Sequence, residues 1–155
     1  MLIYNRHGTE RGLSVRTISI LIGALIGLAT PSIALAQGPA FLLFDGETGK
    51  DFAGCLNCGR SDPASICNRY GDYGSRYSDK SIWNRYGSYG SKYEQNSPWN
   101  RYGQGLRIVD KDGNYYGQFT RASVDRSRLP IVAALIAAYE ENDDLSDLRD
   151  RLCES

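Results

Sequence analysis

Hydrophobic positions along this chain change rhythm repeatedly, and each change predicts an element. Ile18 to Ala29 is one apolar run. Phe41-Leu42-Leu43-Phe44 is a shorter run, followed by turn chemistry at Asp45-Gly46-Glu47-Thr48-Gly49 and a return at Phe52-Ala53-Gly54-Cys55-Leu56. That order predicts a β-hairpin over 40–58. Leu106 to Val109, then Asp110-Lys111-Asp112-Gly113-Asn114, then Tyr115-Tyr116-Gly117-Gln118-Phe119-Thr120 repeats the order and predicts a second hairpin over 106–120. An isolated hairpin is marginal in water, so the two are expected to pair into one small antiparallel sheet. Behind Pro130, a residue suited to a first helical turn, Ile131, Val132, Leu135, Ile136 and Tyr139 fall at helical spacing. Asn142 ends that helix, which is expected to cover the sheet. Leu145, Leu148 and Leu152 mark a second, polar helix with one narrow apolar stripe, completing a helical tail over 130–152.

Between the hairpins, residues 59–105 follow a different rule. Cys67-Asn68-Arg69-Tyr70-Gly71 returns as Trp83-Asn84-Arg85-Tyr86-Gly87 and as Trp99-Asn100-Arg101-Tyr102-Gly103, a 16-residue period. Tyr73-Gly74-Ser75-Arg76-Tyr77 returns as Tyr89-Gly90-Ser91-Lys92-Tyr93, and Ser65, Ser81 and Ser97 precede the anchors. The glycines exclude a long helix, since each costs about 1 kcal/mol relative to Ala in a helix interior. One-turn helices are expected instead. Ser61-Asp62-Pro63 reads as an N-cap with Gly71 as the stop, and Ser78-Asp79 with Gly87 brackets the next unit in the same way. Asn68, Asn84 and Asn100 read as turn formers bonded to their own backbone. The aromatic rings are the large side chains from which a core can be built there, yet Tyr also suits a recognition surface. Alternation of rings in and out satisfies both. The fold class expected is α+β: a small hairpin-built antiparallel sheet, a turn-rich repeat block with short helical turns, and a C-terminal helix.

Charge places the chain in a compartment. Arg6, Arg11 and Arg16 precede the first apolar run, Pro31 follows it, and Ala34-Leu35-Ala36 offers small residues at a cleavage site. Residues 1–36 therefore read as a secretory signal whose apolar run, Ile18 to Ala29, is too short to span a bilayer comfortably, with a single exported domain over 37–155 and no stable membrane span after cleavage; an uncleaved anchor is the alternative. The expected location is the periplasm or the extracellular space. The whole chain is balanced, with 18 basic and 18 acidic side chains. Bases outnumber acids in the repeats, and acids dominate from residue 138 onward. The mildly basic block in that compartment argues against nucleic acid as a partner. Either the acidic tail and the basic repeats attract each other or both are simply solvated.

Four cysteines, Cys55, Cys58, Cys67 and Cys153, suggest disulfides in an exported chain and allow three pairings. Sequence does not choose among them; the pairing expected here is Cys58–Cys67, closing a small loop before the repeats, with Cys55–Cys153 tying the tail to the first hairpin, an expectation that rests on parity and compartment alone. Cys55-Leu56-Asn57-Cys58 also has the spacing of a redox pair or half a zinc site. Asp110, Asp112 and Asn114 open like a calcium loop, but Tyr115 and Arg121 stand where Gly and a bidentate Glu are needed. The single histidine, His7, lies in the leader, which leaves an exported domain without imidazole for a triad or for acid–base chemistry. No catalytic residue, cofactor or metal site is expected.

The phrase Asn-Arg-Tyr-Gly-x-Tyr-Gly-Ser-Arg/Lys-Tyr has Gly54-Cys55-Leu56-Asn57-Cys58 before it and Ile108-Val109-Asp110-Lys111-Asp112-Gly113 after it. As a set it resembles a group of small exported bacterial proteins carrying the same repeats. The resemblance covers about residues 41–121, implies export and a bacterial source, and transfers no site residues. Cys153 lies outside it. The function expected from the residues is a non-catalytic envelope or extracellular binding module. Tyr73, Tyr77, Tyr89 and Tyr93, with Arg69, Arg85 and Arg101, would contact a glycan or a cell-envelope polymer. The alternatives are a structural or stress-related periplasmic protein, a thiol oxidoreductase and a zinc-binding protein.

Overall fold

The computed structural model describes residues 38–154, so the leader reading lies outside the described residues. The fold is a small α+β domain with a four-stranded antiparallel sheet and two helices. Strands β1 (Leu42–Asp45) and β2 (Phe52–Cys55) form the first hairpin, and β3 (Leu106–Val109) and β4 (Tyr115–Phe119) the second. The sheet order is β2-β1-β3-β4, so the two hairpins pair into one sheet as expected, and they do so through their first strands.

The two hairpins are copies related by a pseudo-two-fold axis. Leu43 faces Ile108, with Leu42 opposite Val109 and Phe44 opposite Arg107 on either side. Matching Asp45 to Asp110 makes Leu43 the counterpart of Ile108, so the axis passes through that central pair. Gly54 and Gly117 then coincide, with φ of 113° and 90°, and each hairpin shifts register at its glycine. A Cβ on Gly54 would lie 2.9 Å from Tyr73 Cβ, and one on Gly117 would lie 2.8 Å from Ser127 Cα. Both edges are closed by the same device. Cys55 makes a parallel bridge to Ser65, and Gln118 makes one to Arg126, which leaves less free edge for another chain to pair with.

The paired aspartates organise the hairpin turns. Asp45 accepts from the N–H groups of Thr48, Lys50 and Asp51 and from the Thr48 hydroxyl. Burial alone would raise its carboxyl, but these donors outweigh burial and hold it well below the ordinary range. Asp110 accepts from the Asn114 side chain, the N–H groups of Asn114 and Asp112, and the Tyr116 hydroxyl. The Asn114 amide leads in holding it at about 2. A depressed folded pKa means that the unfolded chain binds more protons between the two values. The stability from these carboxylates is therefore full above the usual aspartate range and falls as pH drops through about 4 toward 2. Denaturation midpoints measured along that series are expected to fall below about pH 4 and to fall less steeply in Asp110→Asn. A flat wild-type profile would contradict the reading.

Residues 57–105 hold no helix and no strand. The expected one-turn helices are replaced by successive β-turns. Asn84 N–H donates to Ser81 O, Gly87 N–H to Asn84 O and Gly90 N–H to Gly87 O, so each corner residue closes one turn and opens the next. The asparagines act as read: the Oδ1 of Asn68, Asn84 and Asn100 accepts the N–H of Tyr70, Tyr86 and Tyr102. Gly74 and Gly90 sit where a Cβ would come within 2.2 and 1.9 Å of the Asn68 and Asn84 carbonyl oxygens. Only hydrogen fits at those two crossings.

Successive units are tied by their tryptophans. Trp83 Nε1 donates to Ile66 O, and Trp99 Nε1 donates to Ile82 O, each at 2.6 Å. Pro98 O, the next carbonyl in that series, accepts from the Arg121 N–H at 3.1 Å, and the Arg121 guanidinium takes Trp99 O. Arg121 thus closes the last unit. Helix α1 (Pro130–Glu141) turns Val132, Leu135, Ile136 and Tyr139 inward. Its ring goes to the repeats rather than to the sheet. Tyr139 stacks on Trp99 with centroids 4.7 Å apart, while Phe119 of β4 meets the same indole edge-on. Helix α2 (Leu145–Cys153), capped by Asp144, buries Leu145, Leu148, Arg149 and Cys153.

The disulfides are Cys55–Cys58 and Cys67–Cys153, not the expected Cys58–Cys67 and Cys55–Cys153. The reason lies in the unit geometry. Cys55 ends β2 and Cys58 closes the turn that follows, with 5.5 Å between Cα atoms. Cys67 occupies the slot that later units give to Trp83 and Trp99. No earlier unit precedes it, and its side chain meets the last turn of α2 instead.

Candidate functional site: a tyrosine and arginine groove

Two rows of tyrosine stand out from the turns. Tyr70, Tyr86 and Tyr102 are 90%, 87% and 88% exposed, and Tyr77 and Tyr93 are 91% and 81% exposed. Of the four tyrosines singled out from sequence, Tyr77 and Tyr93 belong to this surface. Tyr89 is buried, and burial pushes its phenol up to about 12. Tyr73 is half-buried with its ring edge-on to Phe52. Tyr89 belongs to the core, Tyr73 packs against the sheet at Phe52, and neither is among the exposed rings. Tyr70, Tyr86 and Tyr102 were not singled out, although each follows its asparagine by two positions. The Asx bond draws the tyrosine N–H toward the corner, and the ring is left in solvent.

The exposed rings line clefts that recur with the sequence. One cleft of about 300 Å³ is lined by Arg69, Tyr70, Gly74, Ser75, Arg76, Tyr77 and Arg149. Another of about 290 Å³ is lined by Arg85, Tyr86, Gly90, Lys92 and Tyr93, with Tyr139, Asp143 and Leu145 behind them. Arg69, Tyr70, Gly74, Arg76 and Tyr77 are matched one unit later by Arg85, Tyr86, Gly90, Lys92 and Tyr93. A third cleft of about 390 Å³ shares Arg76 and Tyr77 with the first and Arg85 and Tyr86 with the second. The three join into one groove, and α2 with the loop before it forms its other bank through Asp143, Asp144, Leu145 and Arg149.

The bases of the groove differ in their partners. Arg76 Nη2 donates to both oxygens of Asp150 at 2.5 and 2.6 Å, and that contact holds the Asp150 carboxyl below its ordinary range. Arg69 reaches Glu154 at 3.1 Å and Lys92 reaches Asp143 at 3.7 Å. These pairs are the attraction between acidic tail and basic repeats that composition suggested. Arg149 is buried and donates to the carbonyls of Gly74 and Cys67, which makes it a strut of the fold. Arg85 and Arg101 are exposed and form no ion pair among the described residues.

All four cysteines are consumed in disulfides, so no thiolate remains for zinc. Cys55 is fully buried at a strand end, away from a helix N-terminus that would lower a thiol pKa. Among the described residues no cluster of His, Cys, Asp or Glu is suited to a metal ion, and no helix is long and apolar enough to cross a membrane. Comparison with protein-family models, curated proteins and solved structures gave no match to this chain.

Proposed function

We propose that this chain is a non-catalytic exported module that binds a repeating polymer, a glycan of the envelope or the extracellular space, along the tyrosine and arginine groove. The observation that carries the reading is the recurrence of one Arg-Tyr-Gly-base-Tyr lining at a 16-residue interval in adjoining clefts. A protein that presents the same side chains at regular intervals suits a ligand that does the same. Exposed phenol rings offer flat apolar faces to the C–H faces of sugars and hydroxyls to their oxygens. Neighbouring clefts on one rigid block then add their weak contacts, because the second contact is made at high effective concentration.

The test is co-sedimentation with peptidoglycan sacculi and with insoluble polysaccharides. Changing Tyr70, Tyr77, Tyr86 and Tyr93 to Ala together removes the rings without touching the core. Surface changes of this kind shift stability by about 0.5 kcal/mol or less each, so the variant stays folded. Binding is expected to drop at least about tenfold, as one aromatic contact of ~1.4 kcal/mol already implies. A folded quadruple variant that sediments like the parent would reject the groove.

A further inference from the structure

We infer that the polymer is an anionic polysaccharide bearing carboxylates, a uronic-acid chain, and that Arg85 takes its carboxylate. This deepens the glycan-binding reading above and rests on it. The groove already shows what its bases accept. Arg76 holds the carboxylate of Asp150 through its Nη2, which donates to both oxygens, and Arg69 holds that of Glu154. Both acids come from the α2 end of the chain, so in the first cleft the protein supplies its own anions. The second cleft has the matching lining, but Arg85 is exposed with no acid on it among the described residues. Asp143, the acid that lines this cleft, is engaged by Lys92. Arg85 therefore stands beside the exposed rings of Tyr86 and Tyr93 with its fork free, a planar donor shaped for a carboxylate between two surfaces suited to pyranose faces. Arg101, next to the exposed Tyr102, keeps the Arg-Tyr pair in the next unit and also forms no ion pair among the described residues, although Leu106, Ile108 and Val109 of β3 stand where Gly90, Lys92 and Tyr93 complete the second cleft. A uronic-acid polymer offers a carboxylate on successive sugars. It would place an acid on Arg85 with an apolar sugar face against each neighbouring ring, and would continue toward Arg101.

The probes are polygalacturonate as the anionic polymer and dextran as the neutral one, titrated into the oxidised domain by calorimetry at low and high salt. Polygalacturonate is expected to bind more tightly than dextran and to weaken as salt rises. Arg85→Gln is expected to lower polygalacturonate affinity about tenfold, the size of one lost charge-assisted bond, and to leave dextran affinity unchanged. Lys111→Gln, on the distant hairpin turn, removes the same charge and should change neither. Equal affinity for both polymers with a silent Arg85→Gln would overturn the carboxylate reading and leave the glycan module standing. Equal loss in Arg85→Gln and Lys111→Gln would reduce Arg85 to part of a diffuse field and overturn its assigned role. Competition by polyglutamate or DNA at the strength of polygalacturonate would show a general polyanion site and overturn the sugar class. Binding to neither polysaccharide would overturn this inference, while sedimentation with sacculi decides the glycan reading separately.

Discussion

Trp99→Ala is expected to destabilise the domain by about 4–5 kcal/mol, read from the midpoint of a urea or guanidinium transition. Three contributions act at one residue. The indole is fully buried, and truncating a buried aromatic leaves a cavity as well as lost transfer energy. It stands where three parts of the fold meet: Trp83 of the preceding unit, Phe119 of β4 and Tyr139 of α1. Its Nε1 satisfies Ile82 O, which alanine would leave without that donor. A domain of this size has about 5–15 kcal/mol in all, so the variant sits near half unfolded at moderate denaturant. Trp99→Phe separates the terms, because it keeps a ring and removes only the donor and some volume. It should lose about 1–3 kcal/mol. A shift under about 1 kcal/mol in Trp99→Ala would mean that the tryptophan column is not the core of the molecule.

That column was only half visible in the sequence. The hairpins were legible because each carries its own punctuation: an apolar run, an aspartate that gathers the turn N–H groups, and a glycine that allows the bulge. The helices were legible from the spacing of Val132, Leu135, Ile136 and Tyr139 and from the stripe of Leu145, Leu148 and Leu152. Their partners were not, because Tyr139 meets Trp99 through the chain's path in space, and no local pattern records it. The direction of each tyrosine was hidden for a related reason. A helix or strand gives a face rule, with period 3.6 or 2. A string of β-turns gives none, so Tyr73 and Tyr77, four residues apart, end on opposite sides of the surface. The disulfides failed on the same ground. Parity and compartment suggested disulfides but carried no information on their partners, and Cys67 stands in the tryptophan slot, whose direction is set by the stack.

The corrected pairing makes the second large prediction, a difference between two disulfides. Removing Cys67–Cys153 by a double change to Ala is expected to lose about 4–5 kcal/mol. Removing Cys55–Cys58 in the same way should lose about 2 kcal/mol. The separations are 86 and 3 residues, and on chain-entropy grounds the longer loop restricts the unfolded chain far more. Structure adds to the asymmetry. Cys55–Cys58 lies inside a segment already fixed by the bonds of Cys55 to Ala64 and Ile66. Cys67–Cys153 anchors a nine-residue helix whose burial rests on Leu145, Leu148 and the Arg149 strut. Ion pairs such as Arg69–Glu154 hold that end weakly, because exposed pairs contribute about 0–1 kcal/mol. Without the disulfide, α2 should therefore loosen before the rest. Limited proteolysis of the Cys67/Cys153 variant is expected to cut first within 145–154, and amide exchange there should rise while β1 and β3 stay protected. Equal losses in the two variants, or first exchange in the sheet, would show that the long loop is closed by contacts other than the disulfide and that α2 is held by the groove itself.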